Sequence, residues 1–573
     1  MRYFMYVVSC FLLLSVFPAK TLAAKGKEKP YGKVTYRFLY NGQESDRTPL
    51  LFLEYSNGIT KLWQNDPAVK SLIPGYAREA TYIDFQAAMV YRVCDFGNQE
   101  LYHSSLAFDR LNKVELVDGT REILGYNCKK ATTVINSNRI DIWYSEETGL
   151  KGSPNINSGM VPGLVLSIVR NGNSETVASK IEYAKKAKDL KAANLGTGVD
   201  AFELDGLKRT KTVIATNVFT NEQICWGNTN SQVKSPVLDS IYHFAGGTLI
   251  VKKVKLPELP DHYSIFAELS QYSNGDAYDR TGSVFVIPQE KTQSFWDGLI
   301  NGMNTLPVYY DKDSVDYQGV VSTPSYQAPV ELVRFFTPFG IRHFNDRVRI
   351  KNLDWEDSTI YKQDVSDLRH YLKGEVLVGA FIGNYDKGGH KLSLDFKAYP
   401  GSYEWETSSE SPFVMPLFNT CNVMEMGGQR YGTMFKNDSL TVSFEIPEGV
   451  KNLKLRYITT GHGGWGGGDE FNQKLNEIFI DGQRVFAFIP WRTDCGAYRK
   501  YNPVSGNFWN GLSSSDLSRS GWCPGTATQP EYIELKDLKP GKHTMKVAIP
   551  LGKTEGSSFS SWCVSGVIVG ERE

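Results

Sequence analysis

Three stretches constrain this chain's fold more than any other feature. Thr248-Leu249-Ile250-Val251-Lys252-Lys253-Val254-Lys255-Leu256, Lys391-Leu392-Ser393-Leu394-Asp395-Phe396 and Leu440-Thr441-Val442-Ser443-Phe444-Glu445-Ile446-Pro447 alternate apolar and polar side chains. Successive side chains of an extended backbone point to opposite faces, so a period of two predicts strands with one buried face. The 52 glycines and the 13% aromatic content fit many short strands joined by tight turns. The fold class is therefore all-β. A chain of 573 residues has room for about three domains at ~100–200 residues each. We read residues 1–24 as a signal peptide, 25–190 as a β-rich N-terminal domain and 191–207 as a linker. Residues 208–400 and 401–573 then form two consecutive double-sheet sandwiches or jelly rolls. The charged run from Ala184 to Asn194, followed by Gly196-Thr197-Gly198, predicts a short helix and a connector at the first boundary.

Lys+Arg and Asp+Glu are equal at 63 each, so no overall field recruits nucleic acid or an anionic membrane. Arg2 precedes the apolar run Tyr6–Leu14, and Thr21-Leu22-Ala23 supplies small residues for cleavage, the pattern of an export signal. No later segment approaches the ~20 apolar residues of a membrane-spanning helix. The mature chain is expected to be periplasmic, secreted or surface-associated, where disulfides persist. Beyond Cys10 stand Cys94, Cys128, Cys225, Cys421, Cys495, Cys523 and Cys563, an odd number that leaves at least one free thiol in a monomer. Cys94 and Cys128 share the first block and are our expected bridge there. Without a CxxC pair, and with eight scattered histidines, we expect neither a metal site nor a cofactor.

Two segments carry acids in contexts that suit chemistry. Gly461-His462-Gly463-Gly464-Trp465-Gly466-Gly467-Gly468-Asp469-Glu470-Phe471 packs six glycines, two carboxylates, a histidine and a tryptophan into eleven residues after a strand-like run. Such a backbone bends sharply and approaches a ligand closely. It reads either as a sugar-processing loop or as a flexible hairpin with solvated acids. Ala277-Tyr278-Asp279-Arg280-Thr281-Gly282-Ser283-Val284-Phe285-Val286 places Asp279 at the start of an apolar strand. Asp279 reads either as a solvated strand-start acid or as a general base for water. Arg280, its neighbour, points to the opposite face of a regular strand and contacts ligand or supports the acid from behind. Arg519 and Trp522 read as a structured turn or as a sugar-stacking, hydroxyl-binding edge, and we adopt the second.

Leu124-Gly125-Tyr126-Asn127-Cys128-Lys129-Lys130-Ala131, Ile140-Asp141-Ile142-Trp143-Tyr144-Ser145-Glu146-Glu147 and Met160-Val161-Pro162-Gly163-Leu164-Val165, in that order, resemble the family named for its GLPGLI motif. That family is common in exported proteins of the Bacteroidetes and implies no chemistry; here the motif reads MVPGLV. A wider resemblance runs from Lys208 to Val569. The Asp279 segment, Arg334-Phe335-Phe336-Thr337-Pro338-Phe339, Asp364-Val365-Ser366-Asp367-Leu368, the glycine-rich loop with Glu470, and Arg519-Ser520-Gly521-Trp522-Cys523-Pro524-Gly525 are, in this order, similar to the peptide-N-glycosidase F family. These amidases remove N-linked glycans from asparagine.

The resemblance implies two side-by-side eight-stranded jelly rolls with the site between them. It implies Asp279 and Glu470 as catalytic residues, a Cys495–Cys523 disulfide, and substrate contacts from Arg280, Arg519 and Trp522. From the glycine-rich loop itself we expect His462, Trp465 and Asp469 to line the substrate, His462 as a loop histidine that bonds backbone rather than as a general acid. His462 stands where the family has a tryptophan. A further family carboxylate that precedes a tryptophan is absent at Gly383-Asn384-Tyr385. The N-terminal block is similar to that of type II members with a bowl-like extra domain. The expected function is an exported, metal-independent amidase, monomeric and without cofactor, acting on N-linked glycoproteins or glycopeptides. Two alternatives remain at this point: a glycosidase cleaving between sugars with Asp279 and Glu470 at ~5–9.5 Å, and a non-catalytic glycan-binding module. A copper monooxygenase of similar shape lacks the histidine spacing.

Overall fold

The computed structural model describes residues 29–44, 49–65, 74–192, 194–401, 411–430, 434–435, 439–463, 468–506, 511–536, 538–549, 551 and 560–572. The signal-peptide reading of residues 1–24 lies outside the described residues. The chain divides into two compact units, Met1–Thr212 and Val213–Glu573.

The first unit is built on one 13-stranded sheet in which nearly all neighbours are antiparallel. Tyr31–Tyr40 lies near its middle, between Leu50–Ser56 and Ser174–Ala184. Alternate residues of these strands, Val34, Tyr36, Leu53 and Tyr55, face a buried core with Leu164 and Leu166. Pro162-Gly163 leads into the strand Leu164–Arg170. Gly163 has φ +126, and a Cβ there would sit 2.5 Å from the Ser145 carbonyl oxygen, so only glycine fits.

The boundary helix differs from expectation in position. It spans Ala201–Thr210, and Asp200 caps it by accepting a 2.8 Å bond from the Glu203 backbone N–H. The Ala184–Asn194 run has charge but no apolar stripe to bury, and among its described residues no helix forms. The helix instead buries Leu204 against Cys94 and Phe96. Cys128 belongs to a separate core around Val34 and Leu53. Cys94 and Cys128 are therefore both free, which corrects the expected bridge.

The second unit holds two sandwiches. In the first, a four-stranded sheet (Ile214–Ile224, His390–Pro400, Tyr263–Ser273, Thr359–Asp364) faces a six-stranded one (Ile241–Phe244, Leu249–Leu256, Gly374–Ile382, Thr281–Ile287, Val330–Phe336, Ala527–Thr528). In the second, Ser411–Asn419, Ser561–Arg572, Val450–His462 and Glu531–Glu534 face Leu440–Ile446, Gly541–Ala548, Asn476–Ile480 and Gln483–Phe488. Burial alternates strictly along Tyr263–Ser273 and Leu440–Ile446, as one wet and one dry face require. Each large apolar side chain so buried contributes roughly 1.5–3 kcal/mol before entropic costs.

The two jelly rolls are tied together. Ala527–Thr528 comes from the C-terminal part of the chain yet pairs with Val330–Phe336 of the first jelly roll. Val567 and Val569 of the second pack into the first's core. Between them lies a fully buried ion pair: Arg334 donates to Glu331 at 3.0 and 2.7 Å. Glu331 also accepts from Ser283 at 2.8 Å and from Ser565 at 2.6 Å. Arg456 of the second jelly roll donates to the carbonyls of Glu331 and Leu332 at 2.9 and 3.1 Å. Every charge in this group has a partner, which burial demands.

Candidate active site

The strand Thr281–Ile287 sits inside the six-stranded sheet, and Asp279 lies just ahead of it, at the edge facing the second jelly roll. Gly282 is required next to it because the Phe335 ring of the adjacent strand covers its Cα. Thr337 clamps the turn: its hydroxyl accepts from the Arg280 N–H at 2.7 Å and donates to the Tyr278 carbonyl at 3.0 Å. The Thr337 N–H in turn donates to the Arg280 carbonyl at 2.9 Å. These bonds fix the backbone on both sides of Asp279 and leave its carboxylate free to turn toward the second jelly roll.

There it meets Arg519. The guanidinium donates to Asp279 at 3.1 Å and to Glu470 at 2.9 Å, so one cation bridges the two carboxylates. Arg519 is itself 0% exposed. It is held by the Ser514 carbonyl at 2.5 Å and the Ser514 hydroxyl at 2.9 Å, and its plane lies 4.7 Å from the Trp522 ring and 4.9 Å from the Phe471 ring. Fork-shaped, always charged and stacked between aromatics, arginine suits this clamp better than lysine. Burial pushes the Asp279 carboxyl up to about 7, opposed by the Arg519 cation and reinforced by the Glu470 charge. A carboxylate tuned near neutrality can take a proton from water.

Arg280 does not join this group. It forms a two-point ion pair with Asp276 at 2.7 and 3.3 Å. Burial alone would raise Asp276, but bonds to His390 and Arg280 outweigh it and bring the carboxyl down to about 2. The Arg280 guanidinium lies 4.9 Å from the Tyr278 ring and 5.7 Å from the Tyr385 ring. Both tyrosines are open to solvent, at 60% and 59% exposure. Tyr385 donates to Glu425 at 3.3 Å, and burial raises the Glu425 carboxyl. This rim of Tyr278, Tyr385 and Glu425 was missed by sequence reasoning. The available signal was position: Tyr278 precedes Asp279, and Tyr385 ends the segment where a family carboxylate was expected.

Two expected substrate contacts are corrected. Trp522 is 2% exposed. Its ring stacks on Phe336 at 4.1 Å, its other neighbour is the Arg519 cation, and its N–H donates to the Gly461 carbonyl at 3.0 Å. Buried to this degree, it supports Arg519 and offers no platform to a sugar. The turn that carries it inward needs Gly521, whose φ of +84 and 2.6 Å approach to the Thr459 carbonyl oxygen exclude a Cβ. Asp469 is likewise fully buried. It accepts from the Trp562 indole at 2.8 Å and lies 3.7 Å from the Lys474 ammonium. Adjacent residues in the turn point oppositely, so Glu470 faces the site while Asp469 holds the core. His462 is half-buried, with its Nε2 2.9 Å from the Thr460 hydroxyl and its ring stacked on Phe336 at 5.8 Å. Trp465 is outside the described residues.

Cys495 and Cys523 are disulfide-bonded. The bridge ties the short helix Cys495–Tyr501 to the segment after Trp522, and Trp491-Arg492 pairs with Arg519-Ser520 alongside. Replacing both cysteines by serine is expected to lower stability by about 2–4 kcal/mol, read as the shift of the denaturant midpoint; an unshifted midpoint would show the staple to be dispensable. A separate cleft of ≈ 560 Å³ is walled by Tyr361, Trp491, Tyr498, Tyr501 and Thr526, and contains none of Asp279, Glu470 or Arg519. Among the described residues no three His, Cys, Asp or Glu side chains converge at metal-binding spacing, and no helix is long and apolar enough to cross a membrane.

The chain is similar to known proteins over nearly all of its length. The family model described as "Peptide-N-glycosidase F, N terminal" matches residues 215–398, and "Peptide-N-glycosidase F, C terminal" matches 430–569. "N-glycanase peptide, N-terminal domain" matches 34–205. No curated protein matches by sequence. Among solved structures, PNGF-II in a P21 crystal form is 44% identical, with 95% of this chain and 100% of that chain covered and a TM-score of 0.84. The same protein in a C2 form gives 44% identity, 95% and 98% coverage, and a TM-score of 0.78. On three matching domain models and a relative of this identity over nearly its whole length, the chain belongs to the peptide-N-glycosidase F family.

Proposed function

We propose that Asp279, Glu470 and Arg519 carry out the hydrolysis that this family performs, the cleavage of the linkage between an N-glycan and asparagine. The observation that carries the assignment is the buried Arg519 bridging two carboxylates, one of them raised to about 7. The scissile bond is the amide between the asparagine side chain and N-acetylglucosamine. Deprotonated Asp279 accepts a proton from water, and the oxygen attacks the amide carbon. Arg519 holds both acids at fixed positions, and its charge favours the anion that develops as the carbonyl opens. Glu470, 21% exposed, contacts the first sugar or the leaving nitrogen. Collapse expels the glycosylamine with a proton, leaving aspartate in the peptide; a second water then displaces ammonia from the glycosylamine to give the free glycan.

Tyr278 and Tyr385, exposed on either side of the Arg280 guanidinium, supply flat apolar surface and hydroxyls of the kind sugars stack on, and Glu425 accepts sugar hydroxyls. The substrates are N-linked glycoproteins or glycopeptides, and the protein works as a monomer outside the cytoplasm. The Cys495–Cys523 bridge is in keeping with that address. Incubation with a defined N-glycopeptide, followed by mass analysis of the peptide, tests the reaction: aspartate must replace asparagine. A product that keeps asparagine with N-acetylglucosamine attached would identify a glycosidase instead, and no product at all a binding module.

A further inference from the structure

The five unbridged cysteines are all buried, but two of them meet. Ser411–Asn419 runs antiparallel to Ser561–Arg572 with Asn419 opposite Ser565. One residue on, the Thr420 N–H donates to the Val564 carbonyl and the Val564 N–H to the Thr420 hydroxyl, each at 2.8 Å. Continuing that register puts Cys421 opposite Cys563. Directly opposed residues of antiparallel strands have Cα atoms about 4.5–5.5 Å apart, inside the roughly 4.4–6.8 Å that a disulfide spans. Each sulfur is the largest influence on the other's titration, which places the two side chains within reach of one another.

The surroundings of the two sulfurs are unequal. His462 hydrogen-bonds the Cys563 sulfur, and the Arg334 guanidinium, which donates to the Cys563 carbonyl, stands close by. Cys421 lacks the histidine: its partner and burial act on it most, and the Arg334 and Glu331 charges reach it as well. We propose that Cys421 and Cys563 are an oxidant-responsive dithiol, which a peroxide converts into a second intrachain disulfide beneath the active site.

The steps balance. The Cys563 thiolate attacks one peroxide oxygen, the O–O bond breaks, and with one proton the products are Cys563 sulfenic acid and water. The Cys421 thiol then attacks the sulfenic sulfur, and its proton leaves with the displaced hydroxide as a second water. Both sulfurs are oxidised and the peroxide is reduced. Cys563 is 8% exposed and Cys421 3%, so Cys563 is the more open of the two to a small oxidant such as hydrogen peroxide.

The remaining thiols are poor competitors. The Cys421 thiol and His462 hold the Cys563 sulfur well below the usual thiol range, whereas burial pushes Cys94 and Cys128 each up to about 11 and also raises Cys225. The pair is also placed to be felt by the site. His462 stacks on Phe336, which stacks on Trp522 beneath Arg519.

Native protein exposed to hydrogen peroxide, then alkylated and mapped without reduction, tests this. The expected result is a linked peptide pair carrying Cys421 and Cys563, two fewer titratable thiols, and recovery of both on adding dithiothreitol. Cys421→Ser is expected to stop at the sulfenic acid, trapped on Cys563 by dimedone, and Cys563→Ser to leave Cys421 reduced. Peroxide-treated wild type with both thiols alkylatable, or with Cys563 driven to sulfonic acid beside a reduced Cys421, would overturn the assignment. Since these outcomes are read on wild type, they stand even where a serine variant fails to fold.

Discussion

Asp279→Asn is expected to keep the fold and glycopeptide binding while losing about 10²–10⁴-fold or more in turnover. Asparagine preserves the shape and still accepts the 3.1 Å bond from Arg519, but it cannot take a proton from water. The wild-type pH profile gives the same residue a second signature. The base works only when deprotonated, and burial places the Asp279 carboxyl near 7, so kcat/KM should rise with pH through about 7. In the asparagine variant that limb should vanish from the residual rate. Glu470→Ala should differ in kind, weakening binding as well as rate, because it removes a partly exposed group that can touch the sugar. A variant converting substrate at a rate close to wild type would leave the family assignment intact and overturn the role of Asp279.

Glu331→Ala is expected to cost about 3–5 kcal/mol of stability, the range for stripping one partner from a buried ion pair. The loss comes from what remains: the Arg334 guanidinium, fully buried, would keep only the Thr460 hydroxyl at 3.1 Å and the Cys563 carbonyl. Ser283 and Ser565 would lose their acceptor as well. Replacing both charges with apolar residues of similar volume, as in Glu331→Leu with Arg334→Met, should restore most of the loss, because no buried charge is then left unpaired. Denaturant midpoints of the three proteins decide it. A cost below about 1 kcal/mol for Glu331→Ala would mean that the pair behaves like an exposed one.

The strands of the jelly rolls were legible where one face is wet. Thr248–Leu256 became Leu249–Leu256, Lys391–Phe396 lies within His390–Pro400, and Leu440–Pro447 became Leu440–Ile446. Val330–Phe336 was not legible in the same way, because all seven residues are buried and its charges, Glu331 and Arg334, pair with each other across three positions. An acid and an arginine in an apolar run look like solvent-facing residues until both neighbours of the strand are known. The helix at Ala201–Thr210 was displaced from the charged run before it for a related reason: its single buried residue, Leu204, finds its partners on distant strands.

At the site, the motifs supplied the right residues, but the direction each faces was hidden. Glu470 and Asp469 are neighbours with opposite fates, one reaching Arg519 and one holding the Trp562 indole, and only the turn geometry separates them. Trp522 looked like a sugar platform because exposed and buried tryptophans are written alike in a sequence. Its burial follows from Gly521 and Phe336, the first bending the chain inward and the second waiting beneath. Arg519 was expected among the substrate contacts, yet its bonds run to Asp279, Glu470 and Ser514. Cysteine pairing was the least legible property. A separation of 34 residues in the chain favoured Cys94 with Cys128, whereas the fold sends them into different cores and brings Cys421 to Cys563.

The most direct test of the central claim is hydrolysis of a single defined N-glycopeptide in heavy-oxygen water. Attack by water on the side-chain amide carbon predicts that the peptide emerges with aspartate in place of asparagine, with solvent oxygen in the new carboxyl group, and with the whole glycan released. A peptide that retains unlabelled asparagine, bare or still carrying N-acetylglucosamine, would contradict it.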